Sequence, residues 1–379
     1  MSGRTGSVRR TCPRGWVAGL ALVLVVAGCT GSDDRHGAPD ANDGERTPLV
    51  RTTGDGPSGD TADQAADDVD PGPDLYVVDP TTGATEPILV RPGHQGAPER
   101  SPDGTRLVYQ STVPGGVMQI FVLEEDGTEL QLTDLPGGAE EPTWSPDGSQ
   151  IAFASRHEKA RGDTDIFVMD ADGSHIQRLV GTARNDGHPD WSPDGSRIVF
   201  HSRYQVWDGI LPRGEIWVVS VHDGELTRLD LDTPFWGGYW DAADPAWSPY
   251  GRRIAYSRLP GSTINNKSPD VPLWVMRSDG TDERSLHRWK RRWGFCQLEA
   301  SWSPDGSSIA FIDVGGVGSS PTSSRVIGSS RMIGIVDVGT RALTYLSTPH
   351  PVADLSWGTE GILVRMGVGA LEPSRIRCA

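Results

Sequence analysis

Residues 144–154 read Trp144-Ser145-Pro146-Asp147-Gly148-Ser149-Gln150-Ile151-Ala152-Phe153-Ala154, and the pattern returns along the chain. Trp-Ser-Pro-Asp-Gly recurs at 191–195 and 302–306, Trp-Ser-Pro-Tyr-Gly at 247–251, and Arg-Ser-Pro-Asp-Gly at 100–104. A weaker sixth copy is Trp357-Gly358-Thr359-Glu360-Gly361. The serines of the five clear copies, Ser101, Ser145, Ser192, Ser248 and Ser303, are spaced by 44, 47, 56 and 55 residues. A period of this size marks a repeat architecture in which each unit is one supersecondary element.

Each unit has one grammar. A short strand ends at the Trp-Ser pair. Pro presets φ for the first corner of a tight turn, and Gly takes the positive φ that closes it. A β-rich strand follows, as in Ile151–Ala154 or Ile198-Val199-Phe200. A third strand comes after a variable loop, as in Ile166–Met169 or Glu215–Val219. Asp-Gly then marks a hairpin, at Asp126-Gly127, Asp172-Gly173, Asp223-Gly224 and Asp279-Gly280, and a fourth strand ends the unit. Four antiparallel strands per unit, radially repeated, predict an all-β, six-bladed β-propeller.

The sixth unit shows only its first two strands, Asp354–Trp357 and Ile362–Arg365. The missing pair stands at the start of the domain, in Leu75–Asp79 and Thr85–Val90. The N-terminal strands are therefore expected to complete the C-terminal blade and close the ring, which removes aggregation-prone sheet edges.

These motifs resemble the TolB-type (PD40, WD40-like) propeller repeat, over about residues 74–379. The resemblance implies a six-bladed propeller whose first strands line a central channel. It does not imply one activity, since this repeat serves partner-binding proteins, non-catalytic domains of prolyl oligopeptidase-like peptidases and some pectate-derived oligosaccharide lyases. Three features depart from the pattern. Arg100 replaces the first Trp, Tyr250 replaces one Asp, and the domain is preceded by a polar segment rather than TolB's helical domain.

That N-terminal region divides in two. Arg4, Arg9, Arg10 and Arg14 precede a short apolar run from Trp16 to Ala27, ending in Val26-Ala27-Gly28-Cys29. This resembles a lipoprotein signal peptide over 1–28, with Cys29 as the lipidated residue of the mature chain. Residues 30–72 then hold eleven acids against three bases and no apolar periodicity. Residues 29–72 read as a disordered acidic tether, because such a segment buries too little apolar surface to offset its ordering entropy. The propeller itself takes 73–379. The net charge of −16 excludes a nucleic-acid partner and leaves the lipid as the means of holding the membrane. Cys296 and Cys378 remain for a disulfide in an oxidising compartment, or for two independent thiols.

Three groups of side chains are candidates for function. The Trp column, Trp144, Trp191, Trp247, Trp302 and Trp357, is expected to pack between neighbouring sheets rather than to cage a ligand. Three residues before each Trp lie Glu141, His188, Asp244, Glu299 and Asp354, with Ala97 in the first unit. Strand alternation puts these on one side around the ring. They are expected at the channel mouth, either as a site for Ca2+, another divalent cation or a partner's base, or as solvated acids. No other cofactor is expected. The inserts between strands are aromatic and basic, with Trp207, Trp236, Tyr239, Trp240, Trp289, Arg291 and Trp293, residue types that form interface hot spots or stack on sugars. The alternative for these is a local mini-core within each insert.

No Gly-x-Ser-x-Gly elbow is present, and the repeats use up the chain, leaving no room for a hydrolase domain. The expected function is a lipid-anchored, extracytoplasmic, non-catalytic module that binds an envelope protein or wall polymer. Two alternatives are a cation- or small-ligand-binding sensor and a carbohydrate-active enzyme working at the channel mouth.

Overall fold

The computed structural model describes residues 74–91, 93–156, 163–203, 214–229, 240–260, 273–287, 297–314 and 331–367. Among the described residues, 24 strands form six four-stranded sheets. The first two strands are β1 (Asp74–Val78) and β2 (Thr85–Leu89). Blade 1 holds β3 (Gln95–Arg100), β4 (Leu107–Thr112), β5 (Met118–Leu123) and β6 (Glu129–Gln131). Blade 2 holds β7 (Ala139–Trp144), β8 (Gln150–Ser155), β9 (Asp165–Asp170) and β10 (Gln177–Val180). Blade 3 holds β11 (Asn185–Trp191), β12 (Arg197–Arg203), β13 (Gly214–Ser220) and β14 (Leu226–Arg228). Blade 4 holds β15 (Trp240–Trp247), β16 (Arg253–Pro260), β17 (Leu273–Arg277) and β18 (Arg284–His287). Blade 5 holds β19 (Gln297–Trp302), β20 (Ser308–Val314), β21 (Arg331–Asp337) and β22 (Leu343–Leu346). Blade 6 joins both ends of the domain, in the order β2-β1-β24-β23, with β23 (Val352–Gly358) and β24 (Gly361–Met366). Val77 of β1 faces Leu363 of β24, so the predicted closure is present.

The turn chemistry explains the repeat. In all five Ser-Pro-x-Gly turns the Gly N–H donates to the Ser carbonyl at 2.8 Å, and the Gly sits at φ of 65–77°. In four of them the Ser hydroxyl donates to the Asp carboxylate at 2.6 Å. Tyr250 replaces the fifth Asp and is 69% exposed.

The core lies between blades, as the Trp column implied. Trp144 joins Val108 and Ile120 of blade 1 to Ile151 and Phe153 of blade 2. Trp191, Trp247 and Trp302 occupy equivalent clusters, and Trp357 packs partly buried in a fifth. Removing such a ring from a packed core costs about 3–5 kcal/mol. The indoles also tie blades by hydrogen bonds: Trp144 Nε1 donates to Glu99 O at 3.3 Å, and Trp302 Nε1 to Ala246 O at 3.1 Å. Where Arg100 replaces the Trp, its Nη2 pairs with Glu360 Oε2 of blade 6 at 3.0 Å.

Strands alternate in direction within each blade. The Ser-Pro-x-Gly turns and the Asp-Gly hairpins therefore gather at one end of the ring. Second-to-third strand connections and blade-to-blade connections join strand ends at the other.

Candidate functional site in the channel

The innermost strands β3, β7, β11, β15, β19 and β23 contact one another in succession, and β23 meets β3. Each carries the same irregularity. Ala97, Glu141, His188, Asp244, Glu299 and Asp354 all have φ between 46° and 60°. At each of these points the pairing with the second strand slips. This is a β-bulge that re-aims one side chain per blade. A left-handed residue other than Gly costs on the order of 1–3 kcal/mol, so a ring of such positions marks a place where side-chain direction matters.

The re-aimed side chains run around the ring, from blade to blade. Glu141 Oε2 accepts the backbone N–H of His188 at 2.6 Å, and Glu299 Oε2 that of Leu355 at 2.6 Å. The backbone N–H of Glu141 donates to Gln110 Oε1 of blade 1 at 2.7 Å. Asp354 lies over Gly96 so closely that a Cβ there would stand 2.4 Å from its Oδ2. Gly187 gives Glu141 the same clearance, with a distance of 3.0 Å.

Opposite charges meet at two places in the ring. His188 Nε2 lies 3.0 Å from Glu141 Oε1 and 3.4 Å from Asp244 Oδ1. Arg365 Nε lies 2.7 Å from Asp354 Oδ2. Burial pulls the His188 ring down, but the carboxylates of Glu141, Asp244 and Glu299 together outweigh it and raise its pKa to about 10. Burial opposes ionisation of Glu141, yet the His188 and His201 rings hold its pKa down at about 2. Burial, followed by Asp354, lifts Glu299 well above the usual carboxylate range. Burial, followed by the His188 charge, lowers His201 to about 4, which keeps that ring neutral.

The five residues expected at the channel are thus brought together there. Arg365 and the His188 imidazolium neutralise Asp354 and Glu141, whereas Glu299 feels the like charges of Asp354 and Asp244. A second histidine, His201 of β12, lies beside His188 with its ring tilted by 34° and the ring centroids 5.0 Å apart. Gln110, His201 and Arg365 escaped the sequence reading because they come from second strands. Their signal was a polar residue directly after the three apolar residues of that strand, as in Ile198-Val199-Phe200-His201 and Ile362-Leu363-Val364-Arg365.

Two more acids face blade boundaries one residue before the Trp column. Glu99 accepts the Trp144 N–H, and Asp190 the Trp247 N–H. Burial, then the charge of Asp190, pushes Glu99 up to about 8, and burial pushes Asp190 up to about 7.

His188, His201 and Asp244 form a group able to hold an ion, each offering one atom within 4.8 Å of the others. Trp207, Trp236, Tyr239, Trp289, Arg291, Trp293, Cys29, Cys296 and Cys378 lie outside the described residues, as do the signal and tether segments, and of Trp240 only the backbone is described. Among the described residues no helix is long and apolar enough to cross a membrane.

No family model matches the chain. It is 26% identical over 188 residues to the uncharacterized peptidase YuxL of Bacillus subtilis, a match spanning 48% of this chain and only 24% of that relative. Its fold matches the structure of putative TolB from Agrobacterium tumefaciens with a TM-score of 0.58 at 18% identity, covering 78% of this chain and 97% of the other. TolB from Acinetobacter baumannii matches with a TM-score of 0.55 at 18% identity, covering 76% and 66%. In architecture the chain is a six-bladed β-propeller resembling TolB.

Proposed function

We propose that this protein is a lipid-anchored, extracytoplasmic binding module without catalytic chemistry, which engages an envelope protein or wall polymer through the connection-rich end of its propeller. One observation carries the reading. The segments 204–213, 230–239, 261–272, 288–296 and 315–330 all join strand ends at the same end of the ring. Trp207, Trp236, Tyr239, Trp289, Arg291 and Trp293 belong to these segments, and Trp240 opens β15 beside them. The repeated column already supplies the tryptophans that pack blades together. Aromatic and Arg side chains of the kind the inserts carry dominate binding hot spots. The fold likeness to TolB agrees with a binding role, and the Val26–Cys29 motif with a lipid anchor that the acidic tether spaces from the domain.

Photo-crosslinking in intact cells, with the probe at positions 207, 236 and 293, tests the binding face, alongside co-sedimentation with isolated peptidoglycan sacculi. A discrete crosslinked species or sedimentation that Trp236→Ala and Trp293→Ala abolish, at unchanged melting temperature, supports the reading. Binding that survives Trp236→Ala, Trp240→Ala and Trp293→Ala together overturns the face assignment. Cys29→Ser should release the protein from the membrane fraction; retention there overturns the anchor.

A further inference from the structure

We propose that the channel holds one borderline transition-metal ion of the Zn2+, Co2+ or Ni2+ kind, between His188, His201 and Asp244. The site stands on blades 3 and 4 and is independent of the partner-binding reading.

The spacing fits an ion of that size. Ligands about 2.0–2.2 Å from a tetrahedral ion lie about 3.3–3.6 Å from one another. The edges here are 3.4 Å from His188 to Asp244 and 3.8 Å from His201 to Asp244, and all three ligand atoms lie within 4.8 Å of one another. His201 supplies the second observation. Its Nδ1 is buried and has no hydrogen-bond partner, and 3.8 Å to Asp244 Oδ1 is too long for such a bond. A buried ring nitrogen in that state carries an unmet polar demand, which a shared ion satisfies.

The ligand set also decides which ion. Imidazole nitrogens suit Zn2+, Co2+ and Ni2+, whereas Ca2+ takes six to eight oxygens, and one carboxylate cannot provide them. The sequence alone, with four carboxylates and one imidazole in the column, left Ca2+ and other divalent cations open; the second imidazole sets the preference.

The outer partners are in place as well. Glu141 uses Oε2 to accept the His188 N–H at 2.6 Å, which leaves Oε1 directed at the ring. Such anchoring fixes a ligand's orientation. His188 and Glu141 keep 31% and 26% of their side-chain surface exposed, so an ion can enter from the channel.

The test is a titration of the full chain, stripped with a chelator, with Co2+ read by its visible ligand-field absorption, then with Zn2+ and Ca2+ read by melting temperature. We expect one equivalent of Co2+ with the strong absorption of a low-coordinate site, its displacement by Zn2+, a melting shift of several degrees with Zn2+ and none with Ca2+. His201→Ala and Asp244→Asn should each weaken binding about tenfold or more. His175→Ala, which removes the exposed His175–Asp170 pair at a hairpin, should change nothing. No saturable band in the wild-type chain overturns the proposal. So does binding of undiminished affinity in His201→Ala, or binding lost in His175→Ala. Should both channel variants fail to fold, the wild-type spectrum and the His175→Ala control still decide.

Discussion

The carboxylate of Glu141 holds His188 twice, accepting its backbone N–H at 2.6 Å while facing its ring Nε2 at 3.0 Å. One side chain thereby joins blade 2 to blade 3 through both main chain and charge. Removing one partner of a largely buried pair leaves the other uncompensated. Glu141→Ala is expected to destabilise the domain by about 3 kcal/mol, whereas Glu141→Gln keeps an acceptor for the N–H and costs about half as much. Chemical denaturation measures both. In either variant the His188 ring, followed by NMR, should titrate well below its wild-type pKa of about 10.

Stability should fall as the solution becomes alkaline. Unfolded Glu99 loses its proton near 4.5, but the folded protein keeps it to about 8. Between those values the folded state binds the extra proton, so rising pH favours unfolding. His188 acts in the same sense: its contribution is complete below 6.5 and lost as pH rises through about 10. Glu141 acts on the acid side, contributing above 4.5 and losing that contribution as pH falls towards about 2. The melting temperature should therefore peak near about pH 5. Glu99→Gln should flatten the decline between about pH 5 and 8, and a curve parallel to the wild type would refute this account.

Gly96 is needed for clearance. A methyl group there would meet Asp354 Oδ2 at 2.4 Å and Gln110 Nε2 at 3.2 Å, forcing Asp354 away from Arg365. Gly96→Ala is expected to cost about 1–3 kcal/mol. In an Asp354→Ala background the same change should cost less, and thermal melts of the four-membered cycle measure the coupling.

Tyr250 interrupts a bond that the other clear turns make. In them Asp accepts the Ser hydroxyl, as Asp194 does from Ser192 at 2.6 Å. Tyr250→Asp restores that acceptor for Ser248 and removes an exposed ring. It should stabilise the domain by about 1 kcal/mol and raise the melting point by a few degrees. An unchanged or lowered melt would show that Tyr250 earns its place through contact with the next turn, where a Cβ on Gly306 would stand 3.3 Å from its ring.

Much of the fold was legible because its information is local. Trp-Ser-Pro-Asp-Gly encodes a turn and a packing residue within five positions, and the copies state how many times the unit occurs. Even the long-range pairing of β1 with β24 could be read, since a half unit at each end has only one way to be completed. The channel column was legible for the same reason, as a fixed offset from each Trp.

The pairing of that column was not. Sequence offsets placed Glu141, His188, Asp244, Glu299 and Asp354 at one height, but not the left-handed backbone that turns them sideways from blade to blade. Nor could they reveal that Arg365 answers Asp354, 11 residues on, or that His201 meets Asp244, 43 residues on. Those contacts depend on how neighbouring blades are rotated and on which second-strand side chains fill the space between them. Repeat chemistry determined the blades, because turns and strand alternation act within one unit. The tertiary structure alone decided the charge state of the channel, because burial and neighbouring charge arise only when six units close around a common axis.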